Sequence, residues 1–404
     1  MKLTTAVVLF TVLTAAMMTS GCASATTYYV APNGSDQYTP KQAQNRATPW
    51  ASVTHASSVA QPGDMVRIAS GQYPSQYTVI KATGTKTQPI TFVGDTPQPR
   101  FTSPNGSTIA IIHGAWIVVR NLDVTSDDRV PNCADGGNGI DISDGSAHIT
   151  IEHCAVHDCG GGGIGTGNGS SHIGADYVVI KNNLVYNNAW YALYQCSGIS
   201  LWMNENADPG DSGYHNFITG NICHDNGEYK VTNPASHTDG NGIIIDCGYS
   251  HCSQQGGVNS LNASTYVGYN TCYNNGGAGI HNYLNDEVVF DHNTCYHNCN
   301  DPNYPQGGEC SVVSCVGTKV TGNVLVSSGS KADDCVVIWG DKGTTLFQNN
   351  DYFGGTVQGP LAGNMVADPV FESPTTVPPN FDVLRHGPAD PISGVIGAWA
   401  TYKQ

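Results

Sequence analysis

Short apolar segments alternate with polar turns along almost the whole chain, and no long amphipathic helical pattern follows the N-terminus. Residues 237–247, "HTDGNGIIIDC", show the pattern, with a glycine-rich turn, three isoleucines and an aspartate. Short runs of β-branched residues between Gly, Asn and Asp predict strands whose side chains alternate between two faces. The pattern therefore predicts an all-β protein.

One unit recurs along the chain: a short strand follows an Asn, then come a polar turn, glycines and a second short strand. Aligning the units places these residues at one position: Asn121, His153, Asn183, Asn221, Asn270, Asn293, Asn323 and Asn350. Such a period is typical of a solenoid whose rungs stack by parallel hydrogen bonding about 4.8 Å apart. Asn at this turn position can stack its amide on the next rung and tolerates left-handed backbone.

The two ends of the chain resemble a known group of proteins. The opening "YYVAPNGSD", then "QPGDMVRIASGQY" and "QPITFVGD", and the ending "ADPVF…NFDVLRHGPADPISGVIGAW" are similar to the first and last rungs of secreted bacterial right-handed parallel β-helix proteins of the pectin-lyase-like superfamily. The resemblance implies one β-helix domain over residues 26–404. Its N-terminal rungs would be residues 26–110, its regular rungs 111–353 and its closing segment 354–404.

Residues 1–25 predict a signal peptide, because Lys2 precedes an apolar run and an Ala-x-Ala-like site ends at Ala25. "TSGC" at 19–22 leaves open a lipid anchor on Cys22, although Thr19 favours release. The apolar run is short for a membrane span. We therefore expect a secreted or periplasmic monomer without a transmembrane segment.

The net charge and the cysteines indicate which partners and disulfides to expect. The formal net charge of −16 speaks against nucleic acid and anionic membranes as partners. Exported proteins keep disulfides, and Cys247 with Cys252 or Cys310 with Cys315 are plausible close pairs. The cysteines that share one rung position are expected to be stacked interior thiols: Cys223, Cys272 and Cys295.

The second strands of successive rungs predict a candidate site. They read "GIDIS", "GIGTG", "GISLW", "GIIID" and "GIHNY", and if the first Ile of each points inward, the first and third residues after it point outward. The outward side chains of the last three segments then include Ser200, Trp202, Asp246, His281 and Tyr283. Aromatic side chains beside a carboxylate suit a sugar-binding groove; an ordinary solvated sheet face is the alternative.

The same rungs carry the longest insertions, at 203–216, 227–239 and 247–266. Loops on consecutive rungs can form the walls of a cleft above a sheet face. The predicted substrate of such a cleft is a polysaccharide.

Asp239 and Asp246 are seven residues apart in the sequence and need not act together. A partner for Asp246 is therefore expected on the next rung, at His281 or Tyr283.

The sequence leaves three functions open. The first is a lyase that cleaves a uronate polymer by β-elimination, with Asp246 in the site and Lys230 or His281 as base. The resemblance implies calcium, for which these residues are the expected ligands: Asp208, Asp211, Asp239 and Asp286. The rung around "DGNGIIID" lacks the lysine that a family-nine-like pectate lyase would carry.

The second function is a glycoside hydrolase, which needs two carboxylates across the scissile bond. Asp246 would pair with Asp239, Asp208 or Asp286. The third is a surface protein that binds glycans without catalysis. Fold analogy places the lyase first.

Overall fold

A computed structural model of the chain describes residues 25–74, 77–104, 106–127, 137–193, 196–232, 237–248, 264–304, 307–329, 333–340, 343–374 and 380–386. Residues 1–24 of the predicted signal peptide and most of the insertion 247–266 lie outside the described residues. The helices are short and lie near the N-terminus: α1 (Pro40–Ala43) and α2 (Val53–Val59). No helix in the described part of the chain is long and apolar enough to cross a membrane.

The strands form three long sheets. Sheet A has 11 strands: β1 (Thr27–Val30), β2 (Met65–Ile68), β5 (Ile90–Gly94), β8 (Ala115–Arg120), β11 (Ala147–Glu152), β14 (Asp176–Lys181), β17 (Asn216–Thr219), β20 (Thr265–Gly268), β23 (Val288–Asp291), β26 (Lys319–Thr321) and β29 (Leu346–Gln348).

Sheet B has 10 strands: β3 (Gln72–Pro74), β6 (Arg100–Ser103), β9 (Asp123–Ser126), β12 (Ala155–His157), β15 (Leu184–Tyr186), β18 (Ile222–His224), β21 (Thr271–Tyr273), β24 (Thr294–Tyr296), β27 (Val324–Val326) and β30 (Asp351–Phe353). Sheet C has 9 strands: β4 (Thr78–Ile80), β7 (Ile109–Ile112), β10 (Ile140–Ser143), β13 (Ile164–Thr166), β16 (Ile199–Trp202), β19 (Ile243–Asp246), β22 (Ile280–Tyr283), β25 (Gly307–Val313) and β28 (Asp333–Trp339).

From β2 to β28, each turn of the chain contributes one strand to sheet A, one to sheet B and one to sheet C. Neighbouring strands are parallel throughout the three sheets, as in the pairs of β14 with β17, β18 with β21 and β19 with β22. This confirms the parallel β-helix predicted from the repeat. An antiparallel hairpin of β31 (Pro369–Ser373) and β32 (Asn380–His386) follows the last rung, within the predicted closing segment.

The core consists of stacked side chains from successive rungs. Ile164 pairs in register with Ile199, Ile199 with Ile243, and Ile243 with Ile280, and all four are fully buried. Cys223, Cys272 and Cys295 stack in the same way along sheet B and are buried free thiols, as predicted. Because these rows repeat along the axis, the core continues from rung to rung.

A ladder of buried asparagine side chains runs along the turn between sheets A and B. In each step the Nδ2 group and backbone N–H of one Asn donate to Oδ1 of the next, for example from Asn221 to Asn270 at 3.0 and 2.9 Å. The ladder consists of Asn183, Asn221, Asn270, Asn293, Asn323, Asn350 and Asn364.

The predicted alignment is wrong at its first two members. Asn121 and His153 have positive φ and are equivalent to Asn182, one residue before the ladder. The ladder position of those rungs holds Leu122 and Cys154. A second ladder of Asn188, Asn226, Asn275 and Asn298 ends on Glu309.

The predicted disulfide between Cys310 and Cys315 is wrong, because both are free thiols. Cys310 faces the core in register with Ile280, whereas the Cys315 thiol contacts the carbonyl oxygens of Asn282 and Val313 at 3.4 and 3.1 Å. Cys247 is disulfide-bonded. Its predicted partner, Cys252, lies outside the described residues.

Candidate active site

Two rows of side chains point outward from sheet C. The first outward row contains Ser200, Ile244, His281 and Ser311, which pair in register from rung to rung. The second outward row contains Trp202, Asp246, Tyr283, Val313 and Trp339. The predicted alternation is therefore confirmed, and Trp202, Asp246 and Tyr283 lie side by side on three consecutive rungs.

The second outward row is open, whereas most of the first is buried. Trp202 and Tyr283, on either side of Asp246, are 41% and 39% exposed. The Trp202 ring lies over Gly167, where an added Cβ atom would be in ordinary van der Waals contact with the ring at 3.6 Å. Two exposed rings thus flank a carboxyl group, the arrangement predicted for a sugar-binding surface.

Asp246 is coupled electrostatically to Asp239, which the sequence did not require. Burial raises the pKa of Asp246 to about 7. Burial and then the charge of Asp246 raise the pKa of Asp239 well above its usual value. The ionised form of Asp246 therefore favours the protonated form of Asp239. A pair of carboxyl groups held in different protonation states is typical of acid–base sites.

Glu228 is a third carboxyl group of this cluster and was missed by the sequence analysis. It is fully buried, and its Oε2 atom accepts the backbone N–H of Asp239 at 3.1 Å. Burial and then the charge of Asp239 raise the pKa of Glu228 to about 9. Glu228 lies in the insertion 227–239, but no pattern in the sequence separates it from the exposed acidic residues of other loops.

Asn241 fixes the orientation of the Asp239 carboxyl group. Its Nδ2 group donates to Asp239 Oδ1 at 2.8 Å and to Ser197 Oγ at 3.1 Å, while its Oδ1 atom accepts the Ala278 N–H at 2.8 Å. The turn between the two residues depends on Gly240, whose φ of +77° is unfavourable for other residues. The "DGNG" turn therefore places Asp239 beside the start of β19.

The loop that carries Glu228 and Asp239 is attached to a neighbouring loop by a buried pair. His237 Nδ1 lies 2.7 Å from Asp301 Oδ2, and His237 Nε2 lies 3.1 Å from the carbonyl oxygen of Val231. His237 and Asp301 are both 2% exposed. The pair holds the end of the insertion, at His237, against the loop that follows β24.

His281 points outward as predicted but is buried. Neither of its ring nitrogens has a hydrogen-bond partner among the described residues, and the same holds for the hydroxyl of its register partner Ser311. Burial lowers the pKa of His281 to about 4, so the ring is neutral at ordinary pH. Its ring meets that of Tyr283 edge-on at 6.1 Å.

Other predicted site residues lie apart from this cluster. Lys230 is exposed, and its backbone N–H donates to the Trp190 carbonyl oxygen at 2.9 Å. Asp211 accepts the Tyr177 hydroxyl at 3.2 Å, Asp208 accepts the Gly210 N–H at 3.3 Å, and Asp286 accepts the Val316 N–H at 2.9 Å. The described residues contain no group of three or more His, Cys, Asp or Glu side chains placed to hold a metal ion.

The comparisons with known proteins concern the fold. No protein-family model and no curated protein sequence matches the chain. Pectate lyase Pel9A is 15% identical in sequence, with a TM-score of 0.50 over 86% of this chain and 74% of that one. A rhamnogalacturonan lyase is 16% identical, with a TM-score of 0.53 over 86% of this chain and 91% of that one. A glycoside hydrolase is 9% identical, with a TM-score of 0.51 over 82% and 92%.

At such low identities the likeness shows the fold alone. The chain has a parallel β-helix fold like that of these enzymes. Lyases and a hydrolase share that fold, so the chemistry has to be argued from the side chains on sheet C.

Proposed function

We propose that the protein is a glycoside hydrolase whose paired carboxyl groups are Asp239 and Asp246. The observation that carries the proposal is that Asp246 lies between the exposed rings of Trp202 and Tyr283 and that its charge acts on the buried carboxyl group of Asp239. Hydrolysis of a glycosidic bond requires two carboxyl groups and no cation.

The two carboxyl groups have different roles. Asp239, protonated and oriented by Asn241, donates its proton to the glycosidic oxygen as the bond to the anomeric carbon breaks. Asp246, ionised and partly exposed, either attacks the anomeric carbon or takes a proton from the attacking water. In either case one water is consumed and its hydroxyl ends on the anomeric carbon. If Asp246 attacks, Asp239 takes the remaining proton of the water that releases the sugar; if Asp246 acts as base, it holds that proton and returns it to Asp239 through solvent.

The surrounding residues bind the sugar and maintain the protonation states. Trp202 and Tyr283 offer ring faces for apolar sugar faces, and Ser200 lies on the same rung as Trp202. Glu228 lies next to Asp239, and burial and the charge of Asp239 raise the pKa of Glu228 to about 9, so Glu228 adds no negative charge to the cluster near neutral pH. Burial and the charge of Asp246 retain the proton on Asp239.

The donor set does not fit a calcium ion. Of the four aspartates expected as ligands, Asp239 lies in the buried carboxyl cluster, whereas Asp208, Asp211 and Asp286 bind loop N–H groups or a tyrosine. Calcium requires several clustered oxygen ligands. We therefore derive no step that uses it.

Elimination on a uronate is the second candidate function. The fold shared with a pectate lyase and a rhamnogalacturonan lyase favours it, as does the neutral imidazole of His281 one rung from Asp246. His281 would remove the proton beside the uronate carboxylate. Lys230, the base first expected from the sequence, is exposed, and its backbone N–H donates to the Trp190 carbonyl oxygen.

The hydrolase proposal is tested by reducing-end release from arabinoxylan, β-glucan, mannan and arabinan, with pectate and alginate assayed for unsaturated products. We expect wild-type activity on a neutral glycan. Asp246→Asn and Asp239→Asn should each lower kcat by roughly 10²–10⁴-fold, the usual contribution of a positioned acid or base.

Asp208→Asn is the matched control, because it makes the same carboxyl-to-amide change at an exposed site. It should keep wild-type activity. The proposal is contradicted if both cluster variants retain activity, or if only unsaturated uronides are released.

A further inference from the structure

We propose that Trp339 is a distal subsite of the same face, so that the protein binds an extended, uncharged glycan along the axis of the β-helix. The inference rests on the proposed function and goes beyond it in naming the form and charge of the substrate. Trp339 has no role in the chemistry proposed at Asp239 and Asp246.

The position of Trp339 in the second outward row carries the inference. Tyr283 pairs in register with Val313, and Val313 pairs with Trp339. The aromatic side chains Trp202, Tyr283 and Trp339 therefore occur on every second rung, with the smaller Asp246 and Val313 between them. Two rungs span about 10 Å, so the first and last rings lie about 19 Å apart.

This spacing suits a linear glycan. Rings about 10 Å apart along one line can each stack on a sugar of one extended chain, with unstacked sugars between them. Gaps between the rings leave room for the sugars that do not stack. A single sugar or a globular ligand would use only one of the three positions.

The exposure of Trp339 is unusual for so large an apolar side chain. It is 70% exposed, against 41% for Trp202 and 39% for Tyr283. Its backbone is held in place, because its carbonyl oxygen accepts the Ser314 N–H at 2.6 Å. An open indole in the same row as Asp246 points to a ligand that continues from Asp246 along the sheet.

The charges of the row determine the kind of glycan. Among the described side chains of the second outward row, Asp246 has the only carboxyl group, and the phenol of Tyr283 is the only other ionisable group. No Lys or Arg is present there to pair with a uronate, and the chain as a whole is acidic. A polyanion would be repelled, so the glycan is neutral.

The test measures binding to the Asp246→Asn protein, in which the ligand is not degraded. Trisaccharides and octasaccharides of β-linked xylose, glucose and mannose are titrated by calorimetry. One octasaccharide should bind more tightly than its trisaccharide. Adding Trp339→Ala should weaken octasaccharide binding by roughly fivefold to tenfold and leave the trisaccharide unchanged.

Two further variants keep the test specific. Trp339→Phe should restore most of the affinity, because it retains a ring face. Leu346→Ala is the control, since Leu346 is also exposed but lies on sheet A. Equal weakening of both chain lengths, no advantage of the octasaccharide, or no binding to any series would overturn the subsite.

A self-association of the wild type that Trp339→Ala abolishes in sedimentation would also overturn it, because a second copy of the chain would then be the occupant. A failure of the proposed function would give a different result. The Asp246→Asn protein would then still release products from the octasaccharide in the same titration.

Discussion

At the scale of single residues, the site depends on carboxyl groups whose ionisation is made costly by burial. Glu228, Asp239 and Asp246 all have raised pKa values, and burial is the main cause for each. Two buried like charges repel, so the ionisation of one group disfavours the ionisation of its neighbour. In the proposed mechanism this lets one group act as acid while another is ionised.

The raised pKa values predict a loss of stability as pH rises. Below the pKa of an unfolded carboxyl, about 4, these groups are neutral in both states. Above it the unfolded chain ionises while the fold keeps its protons, so the free energy of unfolding falls until the folded pKa is passed, about 7 for Asp246 and about 9 for Glu228. Glu228→Gln should reduce this fall.

Urea unfolding of wild type and Glu228→Gln between about pH 5 and pH 9 checks this prediction. As pH rises, the unfolding free energy of Glu228→Gln should increase relative to that of wild type. Asp208→Asn, at an exposed residue, should follow the wild-type curve. Parallel curves for wild type and Glu228→Gln would show that Glu228 keeps no proton in the fold.

At the scale of strands and turns, most of the architecture could be predicted from the sequence. The two-residue alternation of a strand and the repeat together placed Trp202, Asp246 and Tyr283 on one face, as the register shows. The phase of the asparagine ladder could not be predicted at its start. Asn182 and Asn183 are adjacent, one with left-handed backbone and one in the ladder, and the sequence does not tell them apart.

The ladder contributes strongly to stability. Asn270 accepts two hydrogen bonds on Oδ1 from Asn221 and donates Nδ2 to Ile218 and Asn293, all in the buried turn. Asn270→Ala leaves several buried groups without partners, each costing roughly 1–3 kcal/mol. We expect the free energy of unfolding to fall by about 3 kcal/mol or more.

Chemical denaturation measures the effect of Asn270→Ala. The control is Asn300→Ala at an exposed turn, where the side chain makes one hydrogen bond, to the His297 carbonyl oxygen. It should change stability by less than about 1 kcal/mol. Equal losses in the two variants would contradict the role assigned to the ladder.

At the scale of the whole molecule, rungs of unequal length bring loop residues to sheet C. Glu228 and Asp239 precede β19, whereas Asp301 follows β24 and reaches His237 across the intervening rung. The path of such loops depends on contacts between distant rungs, which the repeat does not encode. For this reason the sequence indicated Asp246 and Asp239 but neither their coupling nor Glu228.

The acidity of the molecule agrees with a neutral glycan as the substrate. A net charge of −16 and a carboxyl cluster without a neighbouring cation among the described residues disfavour a polyanionic substrate. The single β-helix supplies a long, rigid face for a chain-like ligand. The chemistry on that face is the central claim.

The most direct test is mass spectrometry of the oligosaccharides that the wild-type protein releases from its glycan. Hydrolysis adds one water for each bond cleaved, and in ¹⁸O-labelled water the heavy oxygen is found at the new reducing end. We predict labelled, saturated products that disappear with Asp246→Asn. Products that lack the added water and carry a double bond would show elimination and contradict the account.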